Sequence, residues 1–281
     1  MKKTTKGKKP LSARLLRALT VGAAGFTALS VLAILAYALI KGVPNLNAGL
    51  FSLKYTSDNA SMLPALVNTL TVTACTLLLA VPLGVAGAIW LAEYAPRGSK
   101  LVSAVRLTAE TLAGVPSIVF GLFGYLLFNV TFKLSYTLLS GVLTLTVMVL
   151  PTILRTTEEA LLSVPDLWRE GSFGLGAGRL RTVGRIVLPA AMPGILSGVV
   201  LAVGRIVGET AALIFTAGTA TGIASLMTSG RTLSVHMYAL LSEGLYMDQA
   251  NAVAPVLLAL VIGLNALSRR AERKLRNERH G

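Results

Sequence analysis

The sequence has little with which to do chemistry. Its 281 residues hold one cysteine, Cys75, and two histidines, His236 and His280. A single thiol excludes a disulfide framework, and two imidazoles leave no set of ligands for a metal cluster. Charge is scarce as well: charged residues are 14% of the chain, against about 25% in an ordinary soluble domain. Acidic residues are the scarcest, 12 Asp and Glu against 26 Lys and Arg, for a net charge of +14. A hydrophobic content of 54% excludes disorder. It also excludes a nucleic-acid binder, which needs its basic residues on a foldable polar surface. What remains is a membrane protein with its charges crowded at the edges.

Charge-free stretches cover residues 18–40, 59–92, 111–132, 134–154, 186–204 with a continuation to 230, and 249–268. A bilayer core about 30 Å thick needs roughly 20 helical residues, so each stretch can cross once. The second is too long for one perpendicular helix. Its span is placed near 66–91, with 59–64 in the outer interface. The fifth is interrupted by Arg205 and Glu209 and is read as one helix over about 193–217. At this hydropathy only helices satisfy their backbone in lipid, so the fold class is an all-α integral membrane protein of six transmembrane helices.

The cations set the orientation. Twenty-one of the 26 fall ahead of the first span, between spans two and three, between four and five, and after the last. The other side carries only Lys41, Lys54, Lys133 and Arg231. Positive residues stay inside, which places both termini in the cytoplasm. Ala36-Tyr37-Ala38 mimics a signal-peptide cleavage site, but the apolar run before Lys41 exceeds the ~7–15 residues of a signal core and reads as an uncleaved anchor. The organisation is then a basic tail (1–17), the first span with its external loop (18–62), a core of five spans (63–268) and a second basic tail (269–281). Within the core lie a cytoplasmic loop (157–189) and an external segment (218–248). No polar segment approaches the ~50 residues of an independent domain, so any ATP-hydrolysing or substrate-capturing domain belongs to another chain.

Catalysis lacks its parts. There is no His-Glu-x-x-His, no pair of intramembrane aspartates, and neither histidine lies in a span. Cys75 sits in an apolar helix with nothing nearby to lower its pKa, and reads as packing. The glycine-rich run 171–178 is followed by Arg179-Leu180, whereas a phosphate-cradling loop needs Lys and then Ser or Thr. The chain is read as non-catalytic.

The same run fits another pattern. Glu170-Gly171-Ser172, three residues, Gly176, nine residues, then Ile186-Val187-Leu188-Pro189 resembles the E-A-A-x3-G-x9-I-x-L-P signature of bacterial ABC importer permeases. Gly171 and Ser172 replace the two alanines; both are small, though glycine costs a helix about 1 kcal/mol relative to alanine. In that family the segment is a short coupling helix that docks on an ATPase subunit, which assigns Glu170, Gly171, Ser172, Gly176, Ile186, Leu188 and Pro189 to coupling. Gly176 would let the chain turn out of the helix. The loop's arginines also suit anionic membrane lipid. Asn68-Thr69-Leu70, Val81-Pro82-Leu83-Gly84, Leu91-Ala92-Glu93-Tyr94 and Pro116-Ser117-Ile118-Val119 followed by Gly121 resemble core helices of the same permeases. The stretch from Gly204 to Ala211 resembles the phosphate-specific branch, in particular its A-type subunits. The resemblance covers roughly 64–217. It implies a type I ABC importer permease fold in the bacterial cytoplasmic membrane. Its implied partners are a homologous second permease, an ATPase dimer that binds ATP and Mg, and an external phosphate-binding protein. It implies no cofactor on this chain and no nucleic acid. The alternatives are the same machine for sulfate or molybdate, and an ion-coupled secondary transporter with Glu209 as proton relay.

Arg205 is the one cation inside a predicted span, where insertion costs about 2.5–3.5 kcal/mol. Glu209 follows one turn later, on the same face of a continuous helix, and Thr210 offers a hydroxyl. Two readings stand: the three residues line an anion path, or Arg205 and Glu209 only cancel each other's charge. The cation asymmetry makes a direct prediction. Cysteines placed at Lys3, Arg179 and Arg276 should resist an external impermeant thiol reagent in intact cells, and cysteines at Asp58 or Arg231 should label. Labelling of the first group from outside would reverse the orientation.

Overall fold

The computed structural model describes residues 11–96 and 98–277. Residues 1–10 and 278–281 of the two basic tails, with Lys3, and Arg97 of the second connection lie outside it. Eleven α-helical segments follow one another without a strand among the described residues. Five segments are long and apolar enough to cross a membrane: Leu15–Asn45, Leu63–Tyr94, Leu138–Leu162, Arg179–Gly208 and Met247–Arg270. A bent pair, Lys100–Ala113 with Ser117–Thr131, makes a sixth crossing if the two helices are one broken span.

Helices α2 (Leu63–Ile89), α5 (Leu138–Leu162) and α8 (Leu188–Gly208) form the centre. Their largest shared cluster includes Val72, Leu145, Met148, Val149, Ile153 and Ile206. Hydrocarbon gives apolar helices no reason to leave lipid for each other, so close packing of small residues has to hold them. The contacts show this. A Cβ on Gly84 of α2 would lie 2.7 Å from the Ile153 side chain of α5, and one on Gly194 of α8 would lie 2.5 Å from Ala160 of α5. Gly198 meets Thr156 in the same way, one turn further along α8. Helix α1 (Leu11–Gly42) is exposed along most of its length and meets α11 (Met247–Asn277) at its end, where Gly42 lies against the Asn251 carbonyl and the Pro255 ring.

Three sequence expectations need correction. The third stretch, 111–132, is expected to cross once. The chain instead bends by 105° between α3 (Lys100–Ala113) and α4 (Ser117–Gly124, extended by a wider turn through Thr131). Pro116 is responsible: it lacks an N–H and forces Val115 away from helical backbone. The fifth span does not run over 193–217. It begins at α7 (Arg179–Thr182), continues through a π-helical turn into α8, and stops at Gly208. Glu209 is extended, with φ −72° and ψ 129°, before the short α9 (Ala211–Thr216). Pro193 sits inside α8 rather than at its start. The fourth span extends past Leu154 because its charges are paired. Arg155 meets Glu110 at 3.1 Å and Glu159 at 3.0 Å, and Arg106 reaches Glu158 at 2.6 Å.

The loop read over 157–189 accordingly shrinks to α6 (Asp166–Gly174) and its short flanks. The segment read over 218–248 contains α10 (Leu233–Glu243), which ends at Gly244 with φ +72°. The glycine contacts carry the prediction here. Gly84→Val should force α2 and α5 apart and destabilise the protein by about 1–3 kcal/mol, read as a lower unfolding temperature in detergent. Gly263→Ala, where a Cβ would meet nothing within 4 Å, should leave it unchanged or raise it. Equal effects at both positions would show that the contacts do not hold the bundle.

Candidate functional site

Helix α6 is short, and its end is built by glycine. Gly176 has φ +82°, its N–H donates to the Phe173 carbonyl at 2.9 Å, and the Ala177 N–H donates to the Ser172 carbonyl at 3.1 Å. This pair of bonds satisfies the last carbonyls of a helix and requires a left-handed residue. Ser172 faces inward, its hydroxyl 2.8 Å from that of Thr182 on α7. Gly171 and Glu170 face out. Ile186, Leu188 and Pro189 lie further back, on the π-helical turn and the start of α8. There Val187 is fully buried and Leu188 packs beside it. The motif residues therefore do not share one surface: Glu170, Gly171 and Gly176 are exposed, Ser172 is buried, and Ile186, Leu188 and Pro189 are half-buried.

The seat is mostly electrostatic. Arg169 reaches back to Glu93 at the end of α2, Nη2 to Oε1 at 2.7 Å, with side chains 13% and 8% exposed. The same guanidinium donates to the Val164 and Leu161 carbonyls and pairs with Asp166 at 3.2 Å. Arg179 stacks 5.6 Å from the Tyr94 ring. Glu93, Tyr94, Arg106, Arg169, Phe173 and Arg179 help line a cavity of about 710 Å³ beside α6. On the outer side, Leu167, Trp168, Phe173, Leu175 and Leu180 are exposed, Leu175 by 92%. Five large apolar side chains on a polar loop form a patch of the kind that marks an interaction surface.

Near the centre, Arg205 occupies the last turn of α8 and is half-buried. The helix break separates it from Glu209, so the two do not share a helix face as the sequence suggested. No ion pair joins them among the described residues. Glu209 is buried and committed elsewhere. Its Oε1 accepts the Ala212 N–H at 3.0 Å, and its carbonyl accepts the Ser234 hydroxyl at 2.6 Å. Thr210 is half-buried, its hydroxyl directed to the Gly208 carbonyl at 3.4 Å. The geometry brings the three residues to one break but does not pair the charges.

The end opposite α6 holds residues that the sequence reading did not assign. The irregular segment 217–232 is stitched down by side chains. Asn68 donates to the carbonyls of Gly222 and Arg231 at 3.0 and 3.1 Å and accepts the Ala224 N–H at 2.9 Å. The Thr69 hydroxyl accepts the Leu233 N–H at 2.8 Å, and Asn129 donates to the Thr216 carbonyl at 3.1 Å. Asn68 and Thr69 were legible as a motif, and a polar pair in an apolar helix was the available signal; their partners were not. His236 is fully buried, and its Nε2 donates to the Ala60 carbonyl at 3.2 Å. Burial, then the charge of Arg231, pushes its pKa down to about 3 and keeps the ring neutral. Arg231 is buried too, so exposed Asp58 is the accessible topology probe of this end.

Comparison with known proteins follows these features. Residues 80–277 match the family described as binding-protein-dependent transport system inner membrane component. The probable ABC transporter permease protein YqgI of Bacillus subtilis is 35% identical over 274 residues, covering 89% of this chain and 93% of that one. The phosphate transport system permease protein PstA 1 of Mycobacterium tuberculosis is 41% identical over 154 residues, 55% of this chain and 50% of that one. Among solved structures, a chain of the bacterial alginate ABC transporter in complex with an alginate pentasaccharide-bound periplasmic protein superposes with a TM-score of 0.66 at 18% identity, over 92% of this chain and 94% of that one. An all-helical bundle of five long apolar helices and a bent pair, a family match over residues 80–277 and a shared fold lead to one assignment: the chain belongs to the binding-protein-dependent transport system inner membrane components, with the fold of a type I ABC importer permease.

Proposed function

We propose that the chain is the permease subunit of an ATP-driven importer of inorganic phosphate, forming half of the translocation path and converting closure of an ATPase dimer into alternating access. The observation that carries the anion reading is Arg205. A guanidinium in the last turn of a span, without a carboxylate partner among the described residues, is costly unless something anionic visits it. A guanidinium also forks onto the oxygens of a tetrahedral anion in a way an ammonium does not. The similarity to a phosphate transport system permease supports phosphate over other oxyanions.

The α6 end, where most cations gather, is the cytoplasmic one on the positive-inside argument. The exposed apolar side chains around α6 are the surface an ATPase groove would cover, and ATP and Mg would bind on that partner. A push on α6 has two outlets. Arg169–Glu93 leads to α2, and Ser172–Thr182 leads through α7 to α8, which carries Arg205. A homologous second permease would supply the other half of the path, and an external binding protein would deliver the anion at the segment 217–232 end. Exposed α1 would meet lipid. The deciding experiment is reconstitution with the candidate partners, asking which loaded binding protein stimulates ATP hydrolysis. Stimulation by phosphate-loaded protein is expected; stimulation by a sulfate-loaded one alone would reassign the anion.

Two variant sets test the parts. Gly176→Val has to place a β-branched residue at φ +82° and should cost about 1–3 kcal/mol locally, uncoupling transport while the chain still inserts. Charge reversal at exposed Glu170 should weaken ATPase co-purification. Wild-type transport in both would leave α6 without a coupling role. At the centre, Arg205→Gln should abolish uptake with the complex still assembled, and Arg205→Lys should retain little. The double change of Arg205 and Glu209 to Gln should stay inactive, because Glu209 holds a backbone N–H rather than Arg205. Restored uptake in the double variant would make the two residues a purely compensating pair.

A further inference from the structure

The function proposed above uses Arg205 and leaves Arg231 without a role. The backbone of Arg231 is fixed on both sides, its N–H donating to the Ala220 carbonyl at 3.0 Å and its carbonyl accepting from Asn68 at 3.1 Å. Its side chain is 3% exposed, and Nε and Nη2 are buried without a hydrogen-bond partner. No acidic side chain pairs with it among the described residues. The Tyr55 ring lies 4.6 Å from the guanidinium carbon, and the neighbouring His236 is neutral. A ring face offers the cation partial relief but accepts none of its N–H bonds in the geometry of a carboxylate or phosphate. A desolvated guanidinium with open donors is half of an ion pair.

The other half has a place. Arg231 borders a cavity of about 480 Å³ also lined by Thr219, Thr221, Tyr238 and Ser242, the last with its hydroxyl donating to the Ala239 carbonyl at 2.9 Å, and by exposed Glu243. A fixed guanidinium beside the hydroxyl-bearing Thr219, Thr221 and Tyr238 offers the kind of donor set a small tetrahedral oxyanion requires. Glu243 contributes only acceptors, so an oxyanion that carries a proton can donate to it and a fully ionised one meets repulsion.

We propose that Arg231 and this cavity form an oxyanion site of the phosphate class, separate from Arg205 and at the end of the bundle opposite α6. The oxyanion chemistry rests on Arg231 and its surroundings; the choice of phosphate, and a place ahead of Arg205 in the path, rest on the functional reading above. Because a site of this kind binds its anion without turnover, it can be tested apart from transport.

The full chain carrying Cys75→Ser and Ser242→Cys has its one thiol on the cavity wall, and in nanodiscs both faces are open to reagent. An anionic thiosulfonate should label it about tenfold faster than a cationic one of similar size. Inorganic phosphate should slow labelling by the uncharged reagent N-ethylmaleimide, and chloride at equal ionic strength should not. Arg231→Gln should remove both the reagent preference and the protection. Equal labelling by the two charged reagents, or phosphate protection that survives Arg231→Gln, overturns the site. Protection by sulfate in preference to phosphate keeps the oxyanion site and overturns the phosphate reading. Should Arg231→Gln fail to assemble, Arg231→Lys retains the charge without the fork: it should keep the reagent preference and weaken the protection, and undiminished protection there overturns the role of the guanidinium.

Discussion

A chain in hydrocarbon has to satisfy its backbone N–H and C=O groups from within itself, and the rest of this structure follows from how it does so where its helices stop. Continuous helix solves the problem for most of the chain. The exceptions are the bend at Pro116, the break at Glu209 and the irregular segment 217–232. Each is met by buried side chains or by local backbone bonds. Glu209 takes the Ala212 N–H, Asn68 takes groups within segment 217–232, and Thr69 and Asn129 take the Leu233 N–H and the Thr216 carbonyl at its two ends. The break at Glu209 is buried, whereas Pro116 and most of 219–228 are exposed. All three are where the chain can change shape without breaking a helical hydrogen-bond ladder.

The two ends of the bundle are held by different forces. At the α6 end the links are charged: Arg169 to Glu93, Arg106 to Glu158, Arg155 to Glu110 and Glu159. The exposed pairs contribute little to stability. The Arg169–Glu93 pair differs, because both side chains are largely buried and the guanidinium also occupies two carbonyls. Such a link fixes geometry more than it adds stability, which is what a short helix needs if it is to pass a displacement to α2. At the other end the links are neutral hydrogen bonds around Asn68 and apolar packing of Leu50, Met62, Leu233 and Val253. Arg231 is the exception there, a buried charge with no acidic partner among the described residues.

The glycines explain why the centre is compact. Gly84, Gly194 and Gly198 let α5 approach α2 and α8 closely enough that a methyl group would collide. In water such positions cost helix stability; in lipid the close backbone approach is itself the attraction. Because α5 is shared by both contacts, a shift of α2 relative to α8 has to be accommodated along its two small-residue faces.

Length, charge scarcity and the run of apolar stretches were enough to determine a six-crossing helical membrane protein, because the bilayer imposes a fixed length and permits one kind of backbone. The spacing from Glu170 to Pro189 located α6 and the turn at Gly176, since a left-handed cap after a short helix is a local property of a few residues. Four things were decided only by the tertiary structure. Apolar runs do not show where a helix breaks when both sides remain apolar, so the stops at Pro116 and Glu209 were read through. Charges read as loop, such as Arg155 and Glu158, became helix once partners on α3 neutralised them. The pairing of Arg205 with Glu209 was inferred from a spacing that holds only on unbroken helix. The isolation of Arg231 depends on Tyr55 and Asn68, which arrive from more than a hundred residues away, and on His236 five residues further along. Local sequence determines what a segment can be; which polar groups are left without partners depends on which distant segments fold against it.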